Sequence, residues 1–234
     1  MIFKSVLCLM MKCDMFKKSL SLYSLKYAES VLPESMALCG GSKEKVIPIS
    51  FAVYLIKTKD KNILVDAGCD TMPGFVMKRF YSPLFVLRQL GLSADEITDV
   101  IITHSHHDHI EALRHFRNAV VHITEEEYSS GKKYIPSNMR VNVFKEKNII
   151  DRKIKVMKWG GHSIGSAIVE ITVNNITHIL AGDECYINNC IAHRIPTGAY
   201  YNLEKSRAFV EKYSDKKYRV HTCHDISLKT EKII

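Results

Sequence analysis

One segment of the 234-residue chain limits its chemistry and its fold more than any other. It reads Thr103-His-Ser-His-His-Asp-His109 and holds four of the eleven histidines within six positions. It follows the apolar run 100–103, which is typical of a strand buried on both faces. Because functional residues concentrate in loops held by a rigid scaffold, the segment predicts a chemical site at the end of a buried strand.

The spacing within this segment favours metal ligation. His104 and His106 lie two positions apart, so in extended backbone their side chains point to the same side. Asp108 and His109 follow where the chain turns into the next helix. Imidazole binds zinc, iron, nickel and copper, and a carboxylate adds a harder oxygen ligand. Two imidazoles from one stretch cannot close a tetrahedral site, so further ligands are expected from elsewhere.

Candidates for these further ligands follow other predicted strands. His162 lies in a Gly-Gly-His-Ser-Ile-Gly stretch, whose glycines are expected to let the backbone approach an ion closely. Asp183 ends an apolar run that begins at Ile179. Near the end of the chain, His224 is favoured over His221, because His221 would lie inside a strand.

Apolar runs and helical patterns alternate along the chain and predict its architecture. Strands arranged in hairpins, with helices between them, favour two β-rich halves covered by helices. A break at Pro83 is expected in the first long helix, whose apolar residues would form either a core face or a substrate lid. The predicted strands are 51–56, 62–66, 100–103, 119–123, 153–158, 166–173, 176–181 and 218–221, and the predicted helices are 73–90, 109–116 and 202–213.

The chain ends and the cysteines indicate domain organisation and compartment. No linker separates domains, so one domain is expected over residues 21–234, after an extension over residues 1–20 whose role stays open. The apolar stretch 1–11 is interrupted by Lys4 and makes a poor signal peptide. Seven cysteines without a CxxC pair fit reduced thiols, and a cytoplasmic location is expected.

The net positive charge of the chain is a weak guide to its partners. The 33 Lys and Arg exceed the 25 Asp and Glu by eight, and apolar types make up 46% of the residues, which excludes a disordered chain. A basic excess suits nucleic acid or a membrane surface. Here the basic residues are spread along the chain without an RNA-binding signature, so neither partner is expected.

The ordered motifs resemble those of the metallo-β-lactamase superfamily. They are Asp-x-Gly at 66–68, His-x-His-x-Asp-His, Gly-His-Ser-x-Gly, Gly-Asp and a late His, and they cover roughly residues 47–228. The resemblance implies an α/β fold, specifically a four-layer αβ/βα sandwich. It also implies two divalent metal ions, with zinc as the first expectation and iron, manganese or cobalt as alternatives.

The same resemblance assigns ligands and a nucleophile. Water held between two ions would become hydroxide near neutral pH and attack the substrate. Asp66 is expected to orient a ligand histidine rather than bind metal. The implied ligands are His104, His106 and His162 for one ion, Asp108, His109 and His224 for the other, and Asp183 as a bridge between both.

Two shorter motifs are similar to those of N-acyl homoserine lactonases, the enzymes of quorum quenching. Asp183-Glu-Cys-Tyr186 matches their Asp-x-x-Tyr, and Cys223-His-Asp-Ile226 resembles their Gly-His-Asp-Ile. The resemblance implies that Tyr186 donates a hydrogen bond to the ester carbonyl or oxyanion, although an ordinary buried tyrosine is an equal alternative. Asp108 and Tyr186 are therefore the predicted catalytic residues. The thiols of Cys185 and Cys223 lie beside predicted ligands and could react with metal, but buried packing is expected.

One departure from the lactonase pattern leaves the substrate open. Glu111 stands where lactonases commonly have a glycine, and it could crowd the site, add a carboxylate or point to solvent. The leading hypothesis is a hydrolase of a small-molecule ester or lactone, with N-acyl homoserine lactone as the first candidate. The alternatives are a thioester or phosphodiester hydrolase, or a metal-binding relative without catalysis; the oligomeric state stays open.

Overall fold

The structure is a computed structural model that describes residues 20–234. The extension predicted over residues 1–20 therefore lies outside the described residues, apart from Leu20. Within residues 20–234, no helix combines the length and the apolar character that crossing a membrane requires.

Twelve strands and six α-helices are found among the described residues. The strands are β1 (Ser21–Pro33), β2 (Val46–Lys57), β3 (Asn62–Val65), β4 (Asp99–Ile101), β5 (Val120–Thr124), β6 (Arg140–Phe144), β7 (Lys147–Asp151), β8 (Ile154–Lys158), β9 (Ala167–Val173), β10 (Ile176–Leu180), β11 (Tyr218–His221) and β12 (Glu231–Lys232). The helices are α1 (Glu34–Ala37), α2 (Pro83–Gln89), α3 (His107–Ile110), α4 (Glu125–Gly131), α5 (Asn188–His193) and α6 (Leu203–Tyr213).

The strands form two mixed sheets. The first has the spatial order β12-β1-β2-β3-β4-β5-β6, and the second has the order β11-β10-β9-β8-β7. Strands β1 to β3 pair antiparallel, whereas β3 to β6 pair parallel. Parallel neighbours need crossover connections, and these place the functional loops at one end of their strands.

Buried apolar side chains hold the sheets and helices together. Ile101 of the first sheet belongs to the same buried cluster as Val156 and Val169 of the second. Another cluster takes in Leu87 of α2 and Phe209 of α6. Burying one such side chain contributes roughly 1.5–3 kcal/mol. The predicted αβ/βα sandwich is confirmed, and one domain over residues 21–234 stays a prediction.

Both predicted hairpins are present. Strands β2 and β3 pair antiparallel, as do β9 and β10. The second hairpin turns at Asn174 and Asn175, whose φ angles of 50° and 63° lie in the left-handed region that asparagine tolerates. The gap between the predicted strands 166–173 and 176–181 is therefore where the chain reverses.

The predicted helix over residues 73–90 is wrong in its first half. The helix begins at Pro83, because proline suits the first helical position and holds the preceding Ser82 in an extended conformation. Residues 73–82 form no helix, and Pro73 and Phe75 instead line a pocket. The helix predicted from His109 starts earlier, at His107, and continues from residue 111 as a 3₁₀ turn.

Candidate metal centre

Four loops that follow strand ends carry the predicted ligands to one place. The His104 loop follows β4, the His162 loop follows β8, Asp183 follows β10 and His224 follows β11. A backbone hydrogen bond of 2.8 Å from Ala167 to the carbonyl of Thr103 ties the first of these loops to the second sheet. The centre therefore lies where an end of the first sheet meets an end of the second sheet.

Three imidazoles and one carboxylate form the first set of donor atoms. His106 Nδ1 lies 3.1 Å from His104 Nε2 and 2.9 Å from His162 Nε2. Asp183 Oδ2 lies 3.5 Å from His104 Nε2 and 3.4 Å from His162 Nε2. These four side chains can hold a metal ion between them.

The second set of donor atoms gathers around the other oxygen of the same carboxylate. Asp183 Oδ1 lies 3.2 Å from His109 Nε2 and 3.1 Å from His224 Nε2. Asp108 Oδ2 is 3.4 Å from His109 Nε2 and 3.5 Å from His224 Nε2. Asp183 is 3% exposed and directs one oxygen to each set, as a bridging carboxylate would. The structure thus brings all seven predicted ligands together.

Hydrogen bonds on the far side of the rings orient these histidines. His109 Nδ1 donates to Asp66 Oδ2 at 2.8 Å, and His224 Nδ1 donates to the carbonyl of Ser50 at 2.9 Å. His162 Nδ1 donates to the carbonyl of Ala199 in the same way. With the ring proton on Nδ1, the Nε2 lone pair of each histidine faces the centre, as metal ligation requires.

The residues present fit divalent cations. His109 Nε2 is buried and has no hydrogen-bond partner among the described residues. Burial alone would lower the pKa of His109, but the carboxylates of Asp183, Asp108 and Asp66 outweigh it and hold that pKa well above its usual range. The cluster therefore attracts positive charge, and a bound cation would replace the proton. Imidazole and carboxylate together suit zinc-like ions.

The departure at Glu111 has a structural role away from the donor atoms. Its carboxylate accepts a hydrogen bond from the backbone of Asp70 at 2.7 Å and pairs with Arg114. It therefore neither crowds the centre nor adds a ligand; it holds the loop after Asp66-Ala-Gly68 against α3.

The glycine before His162 makes room for the carboxylate of Glu184 and not, as expected from the sequence, for an ion. Its buried carboxylate accepts hydrogen bonds from the backbone of Gly161 at 3.0 Å and of His162 at 3.1 Å. A Cβ on Gly161 would lie 2.2 Å from Glu184 Oε2, so only glycine leaves room for the carboxylate. Burial raises the pKa of Glu184 to about 7.

Glu127 of α4 links two ligand loops and was missed in the sequence. It is 2% exposed and accepts hydrogen bonds from the backbone and hydroxyl of Ser105, at 2.8 and 2.7 Å. It also accepts from the hydroxyl of Ser163 at 2.6 Å and the backbone of Gly165 at 3.0 Å. Because Ser105 lies beside two ligands and Ser163 follows His162, this one carboxylate holds the first donor set in register.

We expect Glu127→Gln to weaken metal binding by about 10–100-fold, the usual cost of losing a partner that orients ligands. A glutamine directs an NH₂ group towards donors that need an acceptor, so one loop must move. Metal affinity measured by competition with a chelator is the test. Glu125→Gln changes an exposed glutamate of the same helix and serves as the control; equal affinities of the two variants would contradict the role of Glu127.

A pocket adjoins the donor atoms and has mostly apolar walls. It has a volume of about 420 Å³, and Leu32, Ile49, Phe51 and Phe75 line it together with five of the seven predicted ligands, which are His106, Asp108, His162, Asp183 and His224. Tyr186 is 7% exposed and also lines the pocket. Burial raises the pKa of the Tyr186 phenol well above its usual range, and the carboxylate of Asp183 adds to the shift, so the hydroxyl stays protonated and can donate.

Sequence comparisons find one family model and two relatives that match this chain. The family model of the metallo-β-lactamase superfamily matches residues 52–178. The chain is 27% identical over 172 residues to a probable metallo-hydrolase of Methanocaldococcus jannaschii. The aligned stretch covers 74% of this chain and 75% of that protein. The chain is 28% identical over 105 residues to an N-acyl homoserine lactonase of Agrobacterium fabrum, 38% of each chain.

The fold is also similar to solved structures. One is an N-acyl homoserine lactone hydrolase with the product N-hexanoyl-L-homoserine bound at its catalytic metal centre. It superposes with a TM-score of 0.78 at 19% identity, over 91% of this chain and 98% of that one. At this identity the likeness concerns the fold.

Proposed function

The chain belongs to the metallo-β-lactamase superfamily, and from this premise we propose that it hydrolyses a small lactone or ester with an apolar acyl group. N-acyl homoserine lactone is the leading substrate. The observation that carries the proposal is the apolar pocket beside the two donor sets. The lactonases among its relatives support the same substrate class.

The lining of the pocket favours a neutral substrate over a charged one. Among the described residues that line it, none is a lysine or arginine. Phosphodiesters and the acidic carriers of many thioesters carry charge that proteins usually meet with cationic side chains. An aliphatic acyl chain needs only apolar contact, which Leu32, Ile49 and Phe75 offer.

The reaction follows from how this chain places its side chains. When bound, two divalent cations supply Lewis acidity that polarises a carbonyl oxygen and brings the pKa of water to about 7. Asp183 would hold both ions, because each of its oxygens faces one donor set. The proposed ligands are those predicted: His104, His106 and His162 on one side, and Asp108, His109 and His224 on the other.

Tyr186 supplies the remaining polar contact. Its ring centroid lies 4.9 Å from that of His224 and 5.7 Å from that of His162, so its phenol stands between the two sides of the centre. A protonated phenol there donates a hydrogen bond to the carbonyl oxygen as negative charge develops. The apolar wall excludes water from the acyl chain, which strengthens this hydrogen bond.

Ring opening of acyl homoserine lactones of increasing chain length tests the proposal. Each buried CH₂ is worth about 0.8 kcal/mol, so kcat/KM should rise up to about fourfold per CH₂ until the pocket is filled. Proton release measures turnover, and thioester and phosphodiester substrates are assayed beside the lactones. Faster turnover of a phosphodiester than of any lactone would overturn the substrate class.

A matched pair of variants locates the acyl chain. Phe75 lines the pocket and packs edge-on against Phe51 at 6.3 Å, whereas its neighbour Val76 is 78% exposed. Phe75→Ala should flatten the dependence on chain length, and Val76→Ala should leave it unchanged. An identical response of both variants would place the acyl chain elsewhere.

A further inference from the structure

A buried thiol lies against the second donor set. Cys223 is 3% exposed, and its Sγ lies 3.1 Å from Asp183 Oδ1. The same oxygen is the one that His109 Nε2 and His224 Nε2 approach to within 3.2 and 3.1 Å. The thiol therefore shares a carboxylate oxygen with two proposed ligands instead of merely filling space.

The donor atoms around this oxygen are arranged as a ligand set. One atom each from His109, Asp183, Cys223 and His224 lie within 4.8 Å of one another, and all four residues are buried. His109 Nε2 points into this set and has no hydrogen-bond partner among the described residues. A thiol beside an unpartnered imidazole nitrogen and a carboxylate is the donor combination that zinc-like ions take.

The other buried thiols contact a backbone carbonyl or a hydroxyl. Cys223 Sγ also contacts a carbonyl, that of Gly182 at 3.5 Å, but it contacts the carboxylate of Asp183 as well. The Sγ of Cys185 donates to the carbonyl of Ile187 at 3.4 Å, and that of Cys190 donates to the carbonyl of Ala37 at 3.4 Å. Cys69 Sγ lies 3.6 Å from the hydroxyl of Tyr27. Of the buried thiols among the described residues, only that of Cys223 lies within reach of both donor histidines.

We propose that Cys223 Sγ joins Asp108, His109, His224 and the bridging Asp183 as a ligand of the second ion. This inference rests on the proposed two-ion centre and sharpens its metal preference. A sulfur–metal bond forms as the S–H bond breaks, and the proton leaves to solvent. Thiolate is a soft ligand, so the second position favours zinc or cobalt over manganese and magnesium. The two ions would then differ, because the first set contains no sulfur.

Titration of the metal-free full-length protein with Co²⁺ tests the ligand directly. Visible d–d bands report cobalt held by nitrogen and oxygen, and a near-ultraviolet charge-transfer band reports cobalt bound to thiolate. We expect the near-ultraviolet band in the wild type and in Cys185→Ser, and its complete loss in Cys223→Ser. Cys223→Gly, which restores the Gly-His-Asp-Ile pattern, should show the same loss and covers the case in which serine prevents folding.

The possible results distinguish failure of the thiolate proposal from failure of the proposed two-ion centre. Visible bands without a near-ultraviolet band in the wild type would overturn the thiolate ligand and leave the two-ion centre intact. A near-ultraviolet band that survives in both Cys223 variants would also overturn it. Absence of cobalt binding altogether would overturn the proposed function as well. Competition between Zn²⁺ and Mn²⁺ gives a second measurement: the ratio of zinc to manganese retained should fall in Cys223→Ser, and an unchanged ratio contradicts the proposal.

Discussion

Asp183→Asn is expected to lower kcat/KM for the best lactone by about three orders of magnitude, since Lewis-acid stabilisation is worth several kcal/mol and each 1.4 kcal/mol is tenfold. Asp183 offers a carboxylate oxygen to each donor set, with Oδ2 towards His104 and His162 and Oδ1 towards His109 and His224. Asparagine keeps the shape but replaces one oxygen by an NH₂ group, which cannot bind a cation.

Metal content distinguishes this effect from simple misfolding. The variant should retain at most one ion per chain where two are expected in the wild type, as measured by elemental analysis after gel filtration. Asp225→Asn is the control, because that carboxylate only accepts hydrogen bonds from Asn188 and Ser227. Circular dichroism should show both variants folded. Full metal content and unchanged turnover in Asp183→Asn would refute the bridging role.

The ligand residues could be predicted because each follows a strand whose apolar pattern is visible in the local sequence. The apolar run 100–103 precedes the histidine segment, and the run from Ile179 precedes Asp183. A strand end fixes where the next residues emerge, which made these side chains candidates, and the resemblance to the metallo-β-lactamase superfamily joined them into one ligand set. The fold class followed from the same patterns.

The features that could not be predicted from the sequence depend on contacts between distant segments. Strand β1 was missed because a bulge between Lys26 and Ala28 shifts its register by one residue and breaks the alternation of buried and exposed positions. Glu127 is one of three consecutive glutamates, and nothing local distinguishes it from its neighbours. Only the partner loops at Ser105 and Ser163 reveal its role, and the position of Cys223 beside Asp183 was hidden in the same way.

Tyr186→Phe separates a catalytic phenol from an ordinary buried tyrosine. If the phenol donates to the developing oxyanion, its loss should lower kcat by about 10²–10³-fold, the usual cost of one such donor. KM should change little, because the aromatic wall of the pocket remains, and metal content should stay at the wild-type value. Steady-state kinetics on the best lactone, with elemental analysis of the same sample, provide the measurement.

Tyr134→Phe is the matched control for that experiment. Its hydroxyl lies 3.2 Å from His107 Nδ1, near the pocket but outside its lining, so kcat should be unaffected. Equal rates for Tyr186→Phe and the wild type would mean that the phenol only fills space. A fall in metal content would instead mean that Tyr186 acts through Asp183, whose carboxylate adds to the raised pKa of the phenol, and would place it as a positioning residue for the bridge.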